Sequence, residues 1–113
     1  MVDKPKTGSI IYIDFDPSKG KEIQKKRPAV VVSNHILAMT SPFIWAVPIS
    51  HGSFNGKQYP MHIKLDERTE TDGTVYAEQL RMFDYTSRSW KTVEMLPTDK
   101  FNEIQMILQA TLR

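Results

Sequence analysis

Apolar residues fall in short continuous or alternating runs through most of the chain and change to a helical period only near its end. The run Ile10-Ile11-Tyr12-Ile13 predicts a strand over 8–15, opened by Gly8 and ended at Asp16-Pro17, where proline removes a ladder donor and Ser18-Lys19-Gly20 favours a turn. Arg27-Pro28 then opens into Ala29-Val30-Val31-Val32-Ser33, β-branched and continuous rather than alternating, which predicts a central strand over 27–34 covered on both faces. The connection 17–26 is longer than a hairpin needs, and loops of that size are usually functional or disordered. A third strand over 43–49 contains Pro48, which restricts it to a bulge, an edge or a strand end. The turn-rich 51–56 leads to a short alternating strand over 61–65. The charged stretch 66–72 reads as a solvated connection closed by the turn dipeptide Asp72-Gly73. A fifth strand over 74–83 and a sixth over 90–95 follow. From Thr98 the period changes: Phe101, Ile104, Ile107, Leu108, Thr111 and Leu112 recur at helical spacing, with Thr98 as the expected N-cap. Several short strands and one terminal helix predict a mainly β fold with α, a small, strongly bent antiparallel sheet or barrel with the helix packed on it. One domain over 8–113, preceded by a flexible segment 1–7, is expected.

Composition narrows the function classes. A chain of 113 residues suits a single domain with a modest core. No apolar run approaches the ~20 residues that span a bilayer, and the start Met1-Val2-Asp3-Lys4 lacks the apolar stretch of a secretory signal, so a cytoplasmic protein is expected. Cysteine is absent, which removes disulfides, thiolate chemistry and cysteine-based zinc sites. His35, His51 and His62 lack metal-ligand spacing, so neither a metal nor a cofactor is expected. The net charge of +2 is mild, but Lys19, Lys21, Lys25, Lys26 and Arg27 lie close together. On charge alone such a cluster is more often a solvated surface than a site. Met82, Met95 and Met106 read as packing residues, and Met39 and Met61 as the border of a groove or partner surface.

Placement says more than charge. An arginine where a long loop meets a β-branched strand is held by rigid backbone and stays open to a ligand, which makes Arg27 the first candidate. Ser50, Glu78 and Arg81 also sit at strand boundaries or within otherwise apolar strands, with Gln79 beside Glu78. Singly they read as a surface arginine, a turn serine and a cross-strand Glu78–Arg81 ion pair. Jointly they match the needs of metal-free RNA cleavage, in which the 2′-hydroxyl loses a proton, phosphorane charge is stabilised and the 5′-oxygen is protonated or neutralised. His51, next to Ser50, reads either as a proton donor or as a solvated turn histidine.

The order Gly8-Ser9-Ile10, Asp14-Phe15-Asp16-Pro17, Gly20, Glu22, Arg27-Pro28-Ala29-Val30-Val31-Val32-Ser33, Val47-Pro48-Ile49-Ser50, Glu78-Gln79-Leu80-Arg81 and Asp84 resembles the MazF/PemK toxin family over nearly the whole chain. The resemblance implies an SH3-like barrel with a C-terminal helix, a homodimer, a cognate antitoxin, and sequence-specific cleavage of single-stranded RNA (mRNA). Carried over by position, Arg27 matches the arginine at the scissile phosphate, Ser50 falls where many members have threonine, and Glu78 matches the acidic position before the glutamine, a candidate base for the 2′-hydroxyl. Lys21 and Tyr76 stand where some members carry a histidine and an arginine, which leaves no histidine in the first loop. Lys19, Lys21, Lys25, Lys26, Gln79, Arg81, His51 and Tyr76 are the candidate RNA contacts, and Tyr12, Phe15, Phe54, Tyr59 and Tyr76 are candidate stacking surfaces, of which about half should be core. The antitoxin is expected to lay an extended acidic segment across the RNA groove, with loop 17–26 as its gate. Two other readings are a non-catalytic toxin of the same fold that inhibits DNA gyrase by binding and a plain SH3-like adaptor. The trio Arg27, Ser50 and Glu78 favours the nuclease, and no aromatic cluster marks a polyproline groove.

Overall fold

The computed structural model describes residues 4–15, 26–50 and 61–112. The expectations for residues 1–3, for most of loop 17–26 with Lys19, Lys21 and Lys25, and for His51, Phe54 and Tyr59 lie outside the described residues. The elements are β1 (Ser9–Asp14), β2 (Lys26–Val31), α1 (His35–Thr40), β3 (Phe43–Ser50), β4 (His62–Lys64), β5 (Thr74–Tyr76), β6 (Arg81–Asp84), β7 (Trp90–Met95) and α2 (Thr98–Thr111). They form one seven-stranded sheet in the order β4-β5-β3-β2-β1-β7, with β6 also paired to β3. Every pairing is antiparallel. The continuous valine run does put β2 between β1 and β3. Among the described residues the outer strands β4 and β7 do not pair, so the bent sheet is barrel-like without being closed.

Strand alternation sends successive side chains to opposite faces, and each face has its own core. Ile10, Val30, Val47, Ile49 and Val75 pack with Ile104 and Leu108 of α2. Ile11, Ile13, Ala29, Val31, Ile44, Ala46 and Phe83 pack on the other side with Phe15, Tyr85 and Ala38 of α1. Two apolar layers explain why β2 and β3 lack clean alternation in sequence.

Several expectations change. The strand expected over 74–83 is two strands, because β3 exchanges partners: Ile49 pairs with Val75 and Ala46 with Arg81, so β3 advances three residues while the neighbouring chain advances six. The excess is thrown out as a turn over 77–80, closed by the Gln79 N–H donating to the Tyr76 carbonyl at 3.1 Å. Pro48 lies at this exchange, between the β6-paired and β5-paired parts of β3, where no ladder donor is required on that side. Helix α1 left no trace in the hydrophobic pattern because Ala38 is its only buried residue; Asn34 caps it, its side chain accepting from the Ile36 N–H at 3.0 Å.

Pro97, not Thr98, is the N-cap of α2, and no side chain caps it; the extended backbone of Pro97 starts the helix and its carbonyl accepts from the Phe101 N–H at 3.0 Å. Thr111 and Leu112 are exposed, so the buried stripe of α2 ends at Leu108. Met82, Met95 and Met106 are exposed rather than packed; Met39 and Met61, expected at the border of a groove or partner surface, are exposed too. On β6, and where β7 runs into Leu96, the alternation that buries Phe83 and Leu96 turns Met82 and Met95 outward. The stretch 66–72 is not simply solvated, since Thr71 is buried.

Candidate nucleic-acid interface

Alternation places Arg27 on the face of Ala29 and Val31, and its cross-strand partner on β1 is Ile13. The guanidinium lies 6.0 Å from the centroid of the Phe15 ring. Arg81, paired with Ala46 on β3, comes within 5.0 Å of the same ring and within 5.0 Å of Phe83. The two rings support each other at 4.9 Å with a 60° tilt. Arg81 Nη2 also donates to the Phe15 carbonyl at 3.2 Å. A third arginine closes the group: Arg88 Nη1 donates to the carbonyls of Asp14 at 2.7 Å and Phe15 at 3.2 Å, and its guanidinium lies 5.2 Å from the Phe83 centroid.

The turn that returns Arg88 to β1 is built by Asp84. Its Oδ1 accepts from the Thr86 hydroxyl at 2.6 Å, the Thr86 N–H at 3.0 Å and the Ser87 N–H at 3.2 Å. These donors, the Thr86 hydroxyl first, hold the Asp84 carboxyl below the usual carboxylate range. Aromatic faces and backbone carbonyls orient the three guanidinium groups without neutralising them. Among the described residues none of Arg27, Arg81 and Arg88 forms an ion pair, and Arg88 Nε is buried without an acceptor.

Ser50 ends β3 and is only partly exposed. The β2–β3 register pairs Ala29 with Pro48, and its continuation by two residues sets Ser50 across from Arg27 on the same face. On its other side Ser50 pairs with Thr74. Gly73, at φ +127°, passes so close that a Cβ there would lie 2.7 Å from the Ser50 carbonyl oxygen. Gly73 is therefore required by a close approach to Ser50.

Glu78 and Gln79 sit exposed in the 77–80 turn, not in a strand. Glu78 does not pair with Arg81; its Oε2 is 2.9 Å from His62 Nε2. The His62 ring stacks on Tyr76, its cross-strand partner, at 4.4 Å between centroids. Tyr76 is consequently buried, so its ring is not an open stacking surface for a base. Phe15 is buried too, whereas Tyr12 is exposed on the opposite side of β1.

The fold thus gathers Arg27, Ser50 and Arg81 on one face and sets Glu78 beside it with His62 and Tyr76. It separates Lys26, which pairs with Asp14 and alternates to the side away from Arg27. His62 and Arg88 were missed in the sequence. The alternation of 61–65 gave His62 a face but no partner sixteen residues away, and Arg88 sat among turn residues with no period at all.

Over residues 6–112 the chain matches the sequence profile of the PemK-like, MazF-like toxins of type II toxin–antitoxin systems. It is 34% identical over 84 residues to the endoribonuclease toxin MazF of Escherichia coli K12, covering 74% of this chain and 72% of that one. It is 30% identical over 110 residues to the endoribonuclease toxin ChpB of the same strain, covering 93% and 91%. A crystal structure of MazE-MazF from Deinococcus radiodurans superposes with a TM-score of 0.82 at 26% identity, over 96% of this chain and 95% of that one. With a match that runs through the arginine face, the exchange strand and the closing helix alike, this chain belongs to the PemK/MazF toxin family.

Proposed function

We propose that this protein is the toxin of a type II toxin–antitoxin pair and acts as a metal-independent endoribonuclease on single-stranded RNA. The 2′-oxygen of one ribose attacks the adjacent phosphorus, the bond to the 5′-oxygen breaks, and the products are a 2′,3′-cyclic phosphate and a 5′-hydroxyl. In this reading Arg27 presents its planar fork to the phosphorane oxygens, Ser50 offers a hydroxyl to the same phosphate, Glu78 takes the 2′-proton, and solvent water supplies the proton that the departing 5′-oxygen gains. Lys19, Lys21, Lys25, Arg81, His51 and Gln79 hold the flanking nucleotides. The observation that carries the reading is the group of three oriented arginines that lacks any carboxylate partner among the described residues. Backbone phosphate is the anion such a surface fits, and an unpaired strand leaves the sugar free for in-line geometry.

The relatives named above are endoribonucleases, and nothing on this face favours the gyrase-directed alternative. The chain is further proposed to form a homodimer; exposed Trp45 and Met82, cross-strand partners on β3 and β6, make an apolar patch that a second copy would cover. A cytoplasmic site of action is proposed because mRNA is the substrate of this reading; no helix among the described residues is long and apolar enough to cross a membrane. An acidic, extended antitoxin segment fits the unneutralised arginines for the reason RNA does. The test is direct: incubate the purified protein with mixed-sequence RNA in excess EDTA and sequence the new ends. Ends clustered at a short motif and carrying 5′-hydroxyls are expected. No new ends, or ends that appear only when a divalent metal is supplied, would overturn the reading.

A further inference from the structure

The first loop carries Lys21 where some family members have a histidine, yet the fold delivers a histidine to the carboxylate from another strand. His62 on β4 bonds Glu78 at 2.9 Å, and its own ring is fixed against Tyr76 at 4.4 Å with a 31° tilt. The two partners differ in freedom: the His62 side chain is 10% exposed and the Glu78 side chain 35%. Glu78 stands on a turn with three rotatable bonds, so an unheld carboxylate would sample several rotamers. The β4–β5 register brings His62 opposite Tyr76, and Thr74, two residues away, pairs with Ser50. His62 therefore reaches Glu78 from the face on which Ser50 lies.

We propose that His62 is the positioning residue for Glu78, donating Nε2–H to Oε2 so that Oε1 is turned toward the ribose 2′-hydroxyl. The inference rests on the nuclease reading given above. In this arrangement the histidine supplies orientation and fixes its own tautomer through the bond it makes; it does not touch the substrate. A misplacement of about 1 Å in a reacting group costs on the order of 10²-fold in rate, which sets the scale of the effect.

The test is steady-state cleavage of one RNA by the wild type and by His62→Ala, His62→Gln, His62→Asn, Glu78→Gln and the double variant His62→Ala/Glu78→Gln. His62→Ala should lower kcat by about 10²-fold with KM changed less than about twofold. A glutamine amide reaches the position of Nε2 and can donate to the carboxylate, so His62→Gln should recover most of the rate. The shorter asparagine should not. In the Glu78→Gln background His62→Ala should add less than about twofold, because its only route of action is already gone. Full kcat in His62→Ala, equal behaviour of the glutamine and asparagine variants, additive losses in the double variant, or full rate in Glu78→Gln would each overturn the inference while leaving RNA cleavage intact. Failure of the wild type to cut RNA would instead remove the reading on which it rests.

Discussion

Arginines at two places in this molecule are held in opposite ways. In the connection between β4 and β5, Arg68 bonds Asp66 through Nη2 at 2.9 Å and Asp99 of α2 through Nη1 at 2.8 Å and Nη2 at 3.0 Å. Those bonds, Asp99 first, raise the Arg68 pKa further, and they bring the Asp66 carboxyl down to about 2, with the bonds from Arg68 as its main cause. Nearby, Glu94 of β7 accepts from the Glu70 N–H at 3.1 Å and from the Thr71 N–H and hydroxyl at 2.8 Å each. Burial pushes the Glu94 carboxyl up, but these donors more than offset it and the net shift is downward. Here Arg68, Asp66, Asp99 and Glu94 each have a counter-charge or donors, and the result is a pinned loop. Around Phe15 the guanidinium groups of Arg27, Arg81 and Arg88 meet rings and carbonyls instead, so among the described residues their charge is oriented and left without a carboxylate. Oriented but unmet charge marks a place built to receive something.

The sharpest way to break this contrast is to remove one arginine from each place. Arg27→Ala should lower RNA cleavage by about 10²–10³-fold, the loss seen when a single oxyanion-type donor is removed. Because Arg27 is exposed, the circular dichroism spectrum and Tm should barely move. Retention of full rate would return Arg27 to the class of surface arginines. A smaller effect is expected at the joint between the two regions, where Gly73 closes the pinned loop and lies against Ser50. Gly73→Ala forces a side chain into a left-handed backbone at a cost of about 1–3 kcal/mol and presses on the Ser50 carbonyl. Both Tm and cleavage rate should fall. A variant that loses stability alone would show that Ser50 tolerates displacement.

The arginine face was only half legible in the chain. Arg27 could be found because it stands at a visible boundary, the end of a long polar loop and the start of a β-branched run. Arg81 was legible through its motif, but its partner was misassigned: residues three apart on one strand face opposite sides, and the exchange of partners along β3 moves Glu78 into a turn, where it meets His62. No periodicity encodes that exchange, since it depends on where a different strand bends. His62 and Arg88 were hidden for a related reason, each owing its place to contacts made across strands rather than to neighbours in sequence. The fold fared better. The valine run of β2 and the helical period of α2 are local signals, and they gave the central strand and the closing helix. The pinned loop over 66–72 read as solvated because its charges look unpaired until α2 and β7 arrive beside it.

Acid should weaken the pinned region through Asp66, Asp99 and Glu94, and the turn behind Arg88 through Asp84. Asp66, Asp84, Asp99 and Glu94 all have carboxyls lowered in the folded state. A lowered folded-state pKa adds stability above the unfolded value and loses it as pH falls through the folded one. For Asp66 that window runs from its ordinary 3.8 down to about 2. Thermal melts should therefore be nearly flat near neutral pH and fall modestly below about pH 4, because these carboxylates are at least partly exposed and screened by solvent. A Tm that rises between pH 4 and pH 2 would contradict the assignment.

The smallest effect belongs to Arg68→Met, and its smallness is the informative part. Arg68 is exposed, so solvent screens its ion pairs and Tm at neutral pH should drop only slightly. The methionine keeps much of the apolar stem and removes the charge. Without the guanidinium, Asp66 and Asp99 lose the main cause of their lowered pKa, so the acid-induced fall in Tm should become shallower, and the two proteins should converge near pH 2. RNA cleavage should be unchanged within about twofold, because removing a neutralised arginine takes nothing from a phosphate-binding surface. If Arg68→Met instead lost as much cleavage as Arg27→Ala, the distinction between met and unmet arginines would have no bearing on where RNA binds.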